Sequence, residues 1–362
     1  MKTAKVLALT KYGHLGASSR MRSLQYLPWL ESGNLTITVR PLLSDEMLQS
    51  RYKNGGYGVS LLRAYADRVL VLLKRRQFDI VWIEKEALPW LPLWLERILL
   101  RGVPYVLDYD DAIFHLYDQH ANSLIRRAFG QRLDGLMKKA ALVIGGNHYL
   151  TQRAVDAGAE KVEMIPTVID LLRYPLNSAV LGQHMVKTHL PRIVWIGSPS
   201  TVRYLEIICE PLRALAMRQP FVLRVIGGGA VNLPGIQVET INWTEATEVA
   251  EISACQVGVM PLLDSMWERG KCGYKLVQYM ACGLPVVASD VGVNSEIVMD
   301  GDNGFLASSS AEWLEALSKL LKSSTLRAQM GAAGRRKIEN SYCLQKTGPR
   351  LAGLLNSVVK GR

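Results

Sequence analysis

Two Rossmann-like α/β domains, each built on a parallel sheet, are what this sequence predicts. Three observations carry that expectation. Short apolar, β-branched runs alternate with amphipathic stretches along the chain, which is the pattern of βαβ units. The alternation stops near Ile165–Asp170 and resumes at Arg192, across a polar stretch holding Pro175 and Pro191. The length of 362 residues is too great for one ordinary core and suits two. The expected division is 1–170, 171–345, and a C-terminal helix at 346–362 that returns to the first domain.

The elements follow in order. Strands are expected at Val6–Leu9, Thr36–Val39, Ile80–Ile83, Tyr105–Leu107 and Leu142–Ile144. The second set is Arg192–Ile196, Val222–Ile226, Val257–Met260 and Pro285–Ser289. The first run, inside MKTAKVLALTKYG, reads as a strand rather than a signal peptide. Its apolar part is short, and no small-residue cleavage site follows it. No stretch reaches the roughly 18 apolar residues of a membrane span. The most apolar one, ALPWLPLWLERILL, is broken by Pro89 and Pro92. Ser309 and Glu312 have capping-box spacing and start a helix.

The five cysteines are scattered, without a CxxC pair or zinc spacing. That favours a reducing, cytoplasmic compartment. Net charge is +11, shared by both halves rather than held in a tail. The balance favours phosphates or acidic lipid surfaces. Nucleic acid is the weakest candidate, because no helix-turn-helix, finger or RNP pattern accompanies the charge.

In parallel sheets of this kind, ligands bind in the loops after the strands. The richest such loop precedes YKLVQYMA. Gly270 and Gly273 bracket cations there, namely Arg269, Lys271 and Lys275, and a helix begins at Tyr274. Gly283 and Pro285 end that helix. Free N–H groups, the helix dipole and the lysines together make an anion site. Taken locally, a surface loop before an amphipathic helix is as good a reading.

The wider pattern is more specific. Gly–Lys–x–Gly–x–Lys, QYMACGLPVVAS, VGVNSEIV and DGDNGFLA recur in order as in family 4 retaining glycosyltransferases. The sequence resembles that family over most of its second half and more loosely over its first. The resemblance implies a GT-B fold, with two Rossmann-like domains facing a central cleft. It also implies a nucleotide-diphosphate sugar as donor, a lipid-linked or growing glycan as acceptor, and neither cofactor nor metal. Bacterial cell-surface polysaccharide or lipopolysaccharide synthesis is the corresponding setting, with the enzyme cytoplasmic or peripheral on the inner membrane face.

Several residues take roles from the resemblance. Gly273, Tyr274 and Lys275 fall on the diphosphate and sugar cradle. Gln278 falls where the family has a ribose-binding glutamate, and Gly270 where it has a sugar-binding one; Glu268 is two positions off. After the first strand of the second domain, Gly197 fits, Ser198 replaces an arginine, and Arg203 is the nearest cation to the family's lysine. Lys271 or Lys275 is expected to supply the missing charge. Arg203 as a solvated helix residue stays open. Gly227, Gly228 and Gly229 match a turn beside the base, or simply end a strand.

In the first domain, Gly16 in GHLGASSR falls on a glycine loop facing the diphosphate. Arg20 and Arg22 are read either as ligand contacts or as a solvated helix face. DYDDAIF gathers Asp108, Asp110 and Asp111 at a strand end. Like charges so close need partners or a function, so Asp110 and Asp111 are catalytic candidates; helix capping by Asp111 is the alternative. Glu84 in IEKEALP is a candidate acceptor-side acid or base, with an ordinary exposed carboxylate as its alternative. His148 after GGN is read as structural unless it faces the cleft. RYKNGGYGVSLLRAYADRVLVLLKRRQF and the tryptophan-rich ALPWLPLWLERILL are read as outer-layer helices or as an interfacial surface on anionic lipid. Two competing functions remain: a catalytically inactive nucleotide-sugar-binding partner, and a GT-B-fold nucleotide-sugar epimerase.

Overall fold

The computed structural model describes residues 3–54, 56–57, 59–176 and 190–361. It contains two six-stranded sheets, both wholly parallel. The chain divides into two compact units. The first comprises Met1–Thr167, Gly270–Cys272 and Leu344–Arg362, and the second Val168–Arg269 and Gly273–Cys343.

The first sheet holds β1 (Ala4–Tyr12), β2 (Leu35–Leu43), β3 (Ile80–Glu84), β4 (Tyr105–Tyr109), β5 (Leu142–Gly145) and β6 (Val162–Met164), in the order β2-β1-β3-β4-β5-β6. Its central strands are buried along their whole length, as IVWIE and YVLDY illustrate. A parallel sheet covered by helices on both faces requires such continuous apolar runs. The chain goes from β1 outward to β2, then crosses to β3 on the other side. The crevice between the carboxyl ends of β1 and β3 is therefore the switch point of this sheet.

The second sheet holds β7 (Arg192–Ile196), β8 (Val222–Ile226), β9 (Val238–Ile241), β10 (Val257–Met260), β11 (Val286–Ser289) and β12 (Gly304–Ala307), in the order β12-β11-β10-β7-β8-β9. Its switch point lies between β7 and β10. The helix Ser310–Lys322 starts with the expected capping box, in which Ser309 and Glu312 satisfy each other's backbone N–H. Two apolar clusters flank this sheet, one around Tyr279, Met280 and Val286, the other around Trp195, Leu212 and Trp313.

Three strands, β6, β9 and β12, occur where the sequence predicts none. All three are sheet edges. VEM and VETI are only half-buried, and β12 is buried only at its two ends, so none carries the apolar run that marks a central strand. The C-terminal helix Leu344–Lys360 packs within the first unit. Tyr26 Oη lies 2.9 Å from Thr347 Oγ1, and Trp29 covers Gly348 so closely that a Cβ there would come within 2.6 Å of its ring. The polar stretch at 177–189 and the glycines Gly55 and Gly58 lie outside the described residues.

Candidate nucleotide-sugar site

In the second unit, β7 delivers Gly197 to the switch point. Its N–H donates to Ile226 O at 3.0 Å, and a Cβ there would sit 2.5 Å from the Trp195 ring. Ser198 continues a tight turn, with Thr201 N donating to its carbonyl at 2.9 Å and Ser200 Oγ at 2.9 Å from its hydroxyl. Gly227, after β8, approaches this turn; a Cβ on it would lie 2.6 Å from Gly197 O. Arg203 stands exposed in the following 3-10 helix, its guanidinium over the Tyr204 ring at 5.5 Å.

The loop after β10 ends at Gly273, which caps the helix Tyr274–Ala281 with φ +63°. A side chain there would be strained in that left-handed conformation and would strike Ile297 Cδ1 at 2.3 Å. Lys275 sits in the first turn, its ammonium 5.4 Å from the centroid of Trp195. That ring also backs Gly197, so Lys275 stands beside the turn that follows β7. A helix N-terminus with its outward N–H groups, a lysine and a glycine turn therefore converge at the switch point of this sheet.

Gln278 is one helical turn further on, 3% exposed, and its amide takes no hydrogen bond among the described residues. Glu268 is buried, and its carboxylate is engaged by Tyr204 Oη at 2.5 Å and by Ser265 Oγ. Asn294, fully buried, donates to Ser289 O at 3.1 Å and leaves its Oδ1 without a partner near Gly273. Nothing in the spacing of the motifs marks Asn294 beforehand.

Gly270, Lys271 and Cys272 pack within the first unit. A Cβ on Gly270 would lie 2.3 Å from Ala112 Cβ and 2.8 Å from its backbone nitrogen. No larger side chain fits at that position. Asn147 holds the Lys271 carbonyl at 2.8 Å, and Cys272 Sγ lies 3.1 Å from Asp110 O.

The switch point of the first sheet holds a charged cluster centred on Lys85. This lysine is 4% exposed and has φ +65°, a left-handed conformation costly for any residue with a Cβ. Its ammonium lies 2.7 Å from Asp110 and 3.5 Å from Asp111, and donates to Ser18 Oγ at 2.9 Å. Ser18 in turn donates to Asp110. Burial alone would raise Asp110, but the Lys85 ammonium and the Ser18 hydroxyl outweigh it and hold the carboxyl below its ordinary value. Asp111 goes the other way. Desolvation raises it; Asp110 adds to that, while Lys85 and Lys271 oppose it. Two adjacent carboxyls are thus driven apart, the arrangement that separates acid from base roles.

Glu84, at the end of β3, is 2% exposed rather than solvated. Its Oε2 accepts from Ser19 Oγ at 2.6 Å and Lys11 N at 3.0 Å, and its Oε1 has no partner among the described residues. Burial pushes its pKa up. Arg22 is neither solvated nor open to a ligand. It is 2% exposed, pairs with Asp108 at 2.7 Å and donates to Ile165 O at 2.7 Å. Arg20 donates to His14 O at 3.0 Å. In the glycine loop, the Asp45 carboxylate accepts from His14 N at 3.2 Å and Leu15 N at 2.9 Å, and Gly16 is needed because Tyr12 lies 2.3 Å from where its Cβ would be. Asp111 does not cap a helix with its side chain; Phe114 is the residue that caps His115–Asp118. His148 is exposed at the start of its helix.

Residues 190–323 match the family model described as glycosyl transferases group 1. The matched segment includes both loops of the β7–β10 switch point. Over 318 residues the chain is 23% identical to spore coat protein SA of Bacillus subtilis (strain 168), covering 79% of this chain and 80% of that one. Sucrose-phosphate synthase from Thermosynechococcus elongatus superposes with a TM-score of 0.74 at 14% identity, over 99% of this chain and all of that one (100%). Anabaena Alr3699/HepE in complex with UDP-glucose does so with a TM-score of 0.72 at 16% identity, over 98% and 100%. The fold is GT-B, with two Rossmann-like units.

Proposed function

We propose that the chain is a retaining glycosyltransferase that moves a hexosyl group from a nucleotide-diphosphate sugar to a lipid-linked or growing glycan acceptor in cell-surface glycan synthesis. The observation that carries this reading is the convergence of Gly197, Gly273 and Lys275 at the β7–β10 switch point, inside the segment that matches the glycosyltransferase model. As the donor bond breaks, negative charge grows on the leaving diphosphate. A lysine and a helix N-terminus already aimed at that place stabilise the transition state without reorganising. The chemistry proposed here needs no metal: Asp108 and Asp110 are engaged by Arg22 and Lys85, and the diphosphate charge is met by lysine and backbone.

The sugar itself is not read by a carboxylate from the loop after β10. Position 270 has no room for one, and Glu268 is already engaged. Asp111, the carboxyl held up in its titration, is the proposed group on the acid–base side, with Glu84 as the acceptor-side candidate. UDP and UDP-glucose are the first ligands to test, since Anabaena Alr3699/HepE carries them. A thermal-shift panel of nucleotides and nucleotide sugars checks the reading, because a ligand at a hundred times its Kd stabilises a fold by about 2.7 kcal/mol. A flat response to the whole panel would sink it.

A second reading rests on Gly270 and Ser198, which depart from the family pattern: the chain binds nucleotide sugars without turning them over. Donor hydrolysis or transfer by the purified protein decides between the two.

A further inference from the structure

The helix Ser60–Leu73 carries large apolar residues on its outer side as well as on its inner one. Its inner side buries Arg68 and Leu72, while Val59, Leu62, Ala66, Leu70 and Leu73 follow one another at helical spacing on the outer, exposed side. The helix packs beside Leu93–Leu100, which adds Trp94 and Ile98, four residues apart and exposed. Arg75 ties the two ends together, donating to Arg101 O at 2.9 Å and to Ile98 O at 3.4 Å. Excluding Ala66, these large apolar side chains are between 57% and 82% exposed. A contiguous apolar face of this kind marks an interaction surface.

Next to Ile98 lies a cavity of about 610 Å³. It opens at the amino ends of β4 and β5, the opposite end of the sheet from the Lys85 cluster. Arg97, Arg101, Lys138 and Lys139 line it, against Glu160 as the one acidic lining residue. None of these four cations forms an ion pair among the described residues. Arg63, Lys74 and Arg76 are also exposed along the apolar face, with Asp67 as an acidic neighbour of Arg63 one turn on.

We propose that this face lies on an anionic membrane, and that the cavity takes a lipid phosphate headgroup while Trp94, Ile98 and the Leu62–Leu73 stripe enter the acyl boundary. Charge decides the occupant. A second copy would bring arginine against arginine, and a soluble polyanion would leave the tryptophan and leucines in water. A bilayer of acidic lipid satisfies both at once. The proposal does not depend on sugar transfer, since the cavity lies at the opposite end of its own sheet from that sheet's switch point.

The test is sedimentation with vesicles of phosphatidylcholine alone and of phosphatidylcholine mixed with phosphatidylglycerol, at low and high salt, on the full chain. Binding is expected only to the mixed vesicles and is expected to weaken at high salt. The double variant Arg97→Ala/Arg101→Ala should bind about 30-fold more weakly, from about fivefold per arginine near the surface. Trp94→Ala should lose about tenfold through its apolar contact. All these positions are exposed, and an unchanged urea-unfolding midpoint, followed by tryptophan fluorescence for the arginine variant and by circular dichroism for Trp94→Ala, shows that each variant is folded. Absence of binding to mixed vesicles, equal binding by the arginine variant, or concentration-dependent self-association through this face would each overturn the proposal. So would inorganic phosphate competing as well as the vesicles bind, which would assign the cavity to a free anion.

Discussion

Replacing Lys85 by alanine and by glycine separates the two things this residue does. The ammonium lies 2.7 Å from Asp110 and 3.5 Å from Asp111 in a buried setting. At an effective dielectric near 20, the shorter contact alone amounts to about 6 kcal/mol of gross attraction. Desolvation offsets much of that, and deleting one partner of a buried pair costs about 3–5 kcal/mol net. Both variants lose this amount. The glycine variant is freed from the left-handed backbone at φ +65°, so it should be about 1 kcal/mol more stable than the alanine variant. The pH dependence carries the sign. Asp110 is depressed in the folded protein, so its stabilising contribution is present above its unfolded pKa and is lost as pH falls through the folded one. Without Lys85, burial drives the same carboxyl upward against only the Ser18 hydroxyl and Arg22, and the variants suffer most near neutrality, where it is still charged. The gap from the parent protein should close as the medium is acidified into the carboxylate range. Urea unfolding followed by tryptophan fluorescence across pH measures this, with the nucleotide thermal shift reporting on the second unit. A loss below about 1 kcal/mol, the same at neutral and acid pH, or an alanine variant as stable as the glycine variant, would refute the reasoning.

Three further outcomes are expected. Gly270→Ala drives a methyl against Ala112 and should destabilise by about 1–3 kcal/mol, read from urea midpoints; an unchanged midpoint means the loop shifts freely. Lys275→Ala should weaken nucleoside-diphosphate binding about 10- to 100-fold, as for a charge-assisted hydrogen bond, and flatten its salt dependence in calorimetric titration; unaltered affinity would place the diphosphate charge on another group. Glu84 has a raised pKa through burial, so stability is lost as pH rises from its unfolded pKa to its folded one and stays lost above that. Glu84→Gln should therefore have a higher thermal midpoint than the parent at neutral pH and lose transfer activity; full activity would remove Glu84 from the acid–base side.

What the sequence determined by itself is the arrangement of local, repeated signals. Strands such as IVWIE and VVAS are buried on both faces and must be continuously apolar, so they are legible one at a time. The loop Gly270–Lys275 is legible too, because glycine, lysine and a helix start are neighbours along the chain. The half-buried edge strands β6, β9 and β12 carry no such run, and their pairing supplies what their composition does not. Lys85 was hidden between Glu84 and Glu86 in a stretch that reads as ordinary alternating charge. Only the fold turns its backbone left-handed and brings Asp110, 25 residues on, and Ser18, 67 residues back, to its ammonium. Arg22 and Asp108, 86 residues apart, needed the same closure before either could be recognised as the other's partner. The exposed stripe from Val59 to Leu73 has a helical period that sequence reads plainly. Which side of it meets the sheet was settled by packing alone, because both sides mix apolar with charged residues, Arg68 on the buried side and Arg63 and Asp67 on the exposed one, and burial is a property of neighbours that the one-dimensional pattern does not contain.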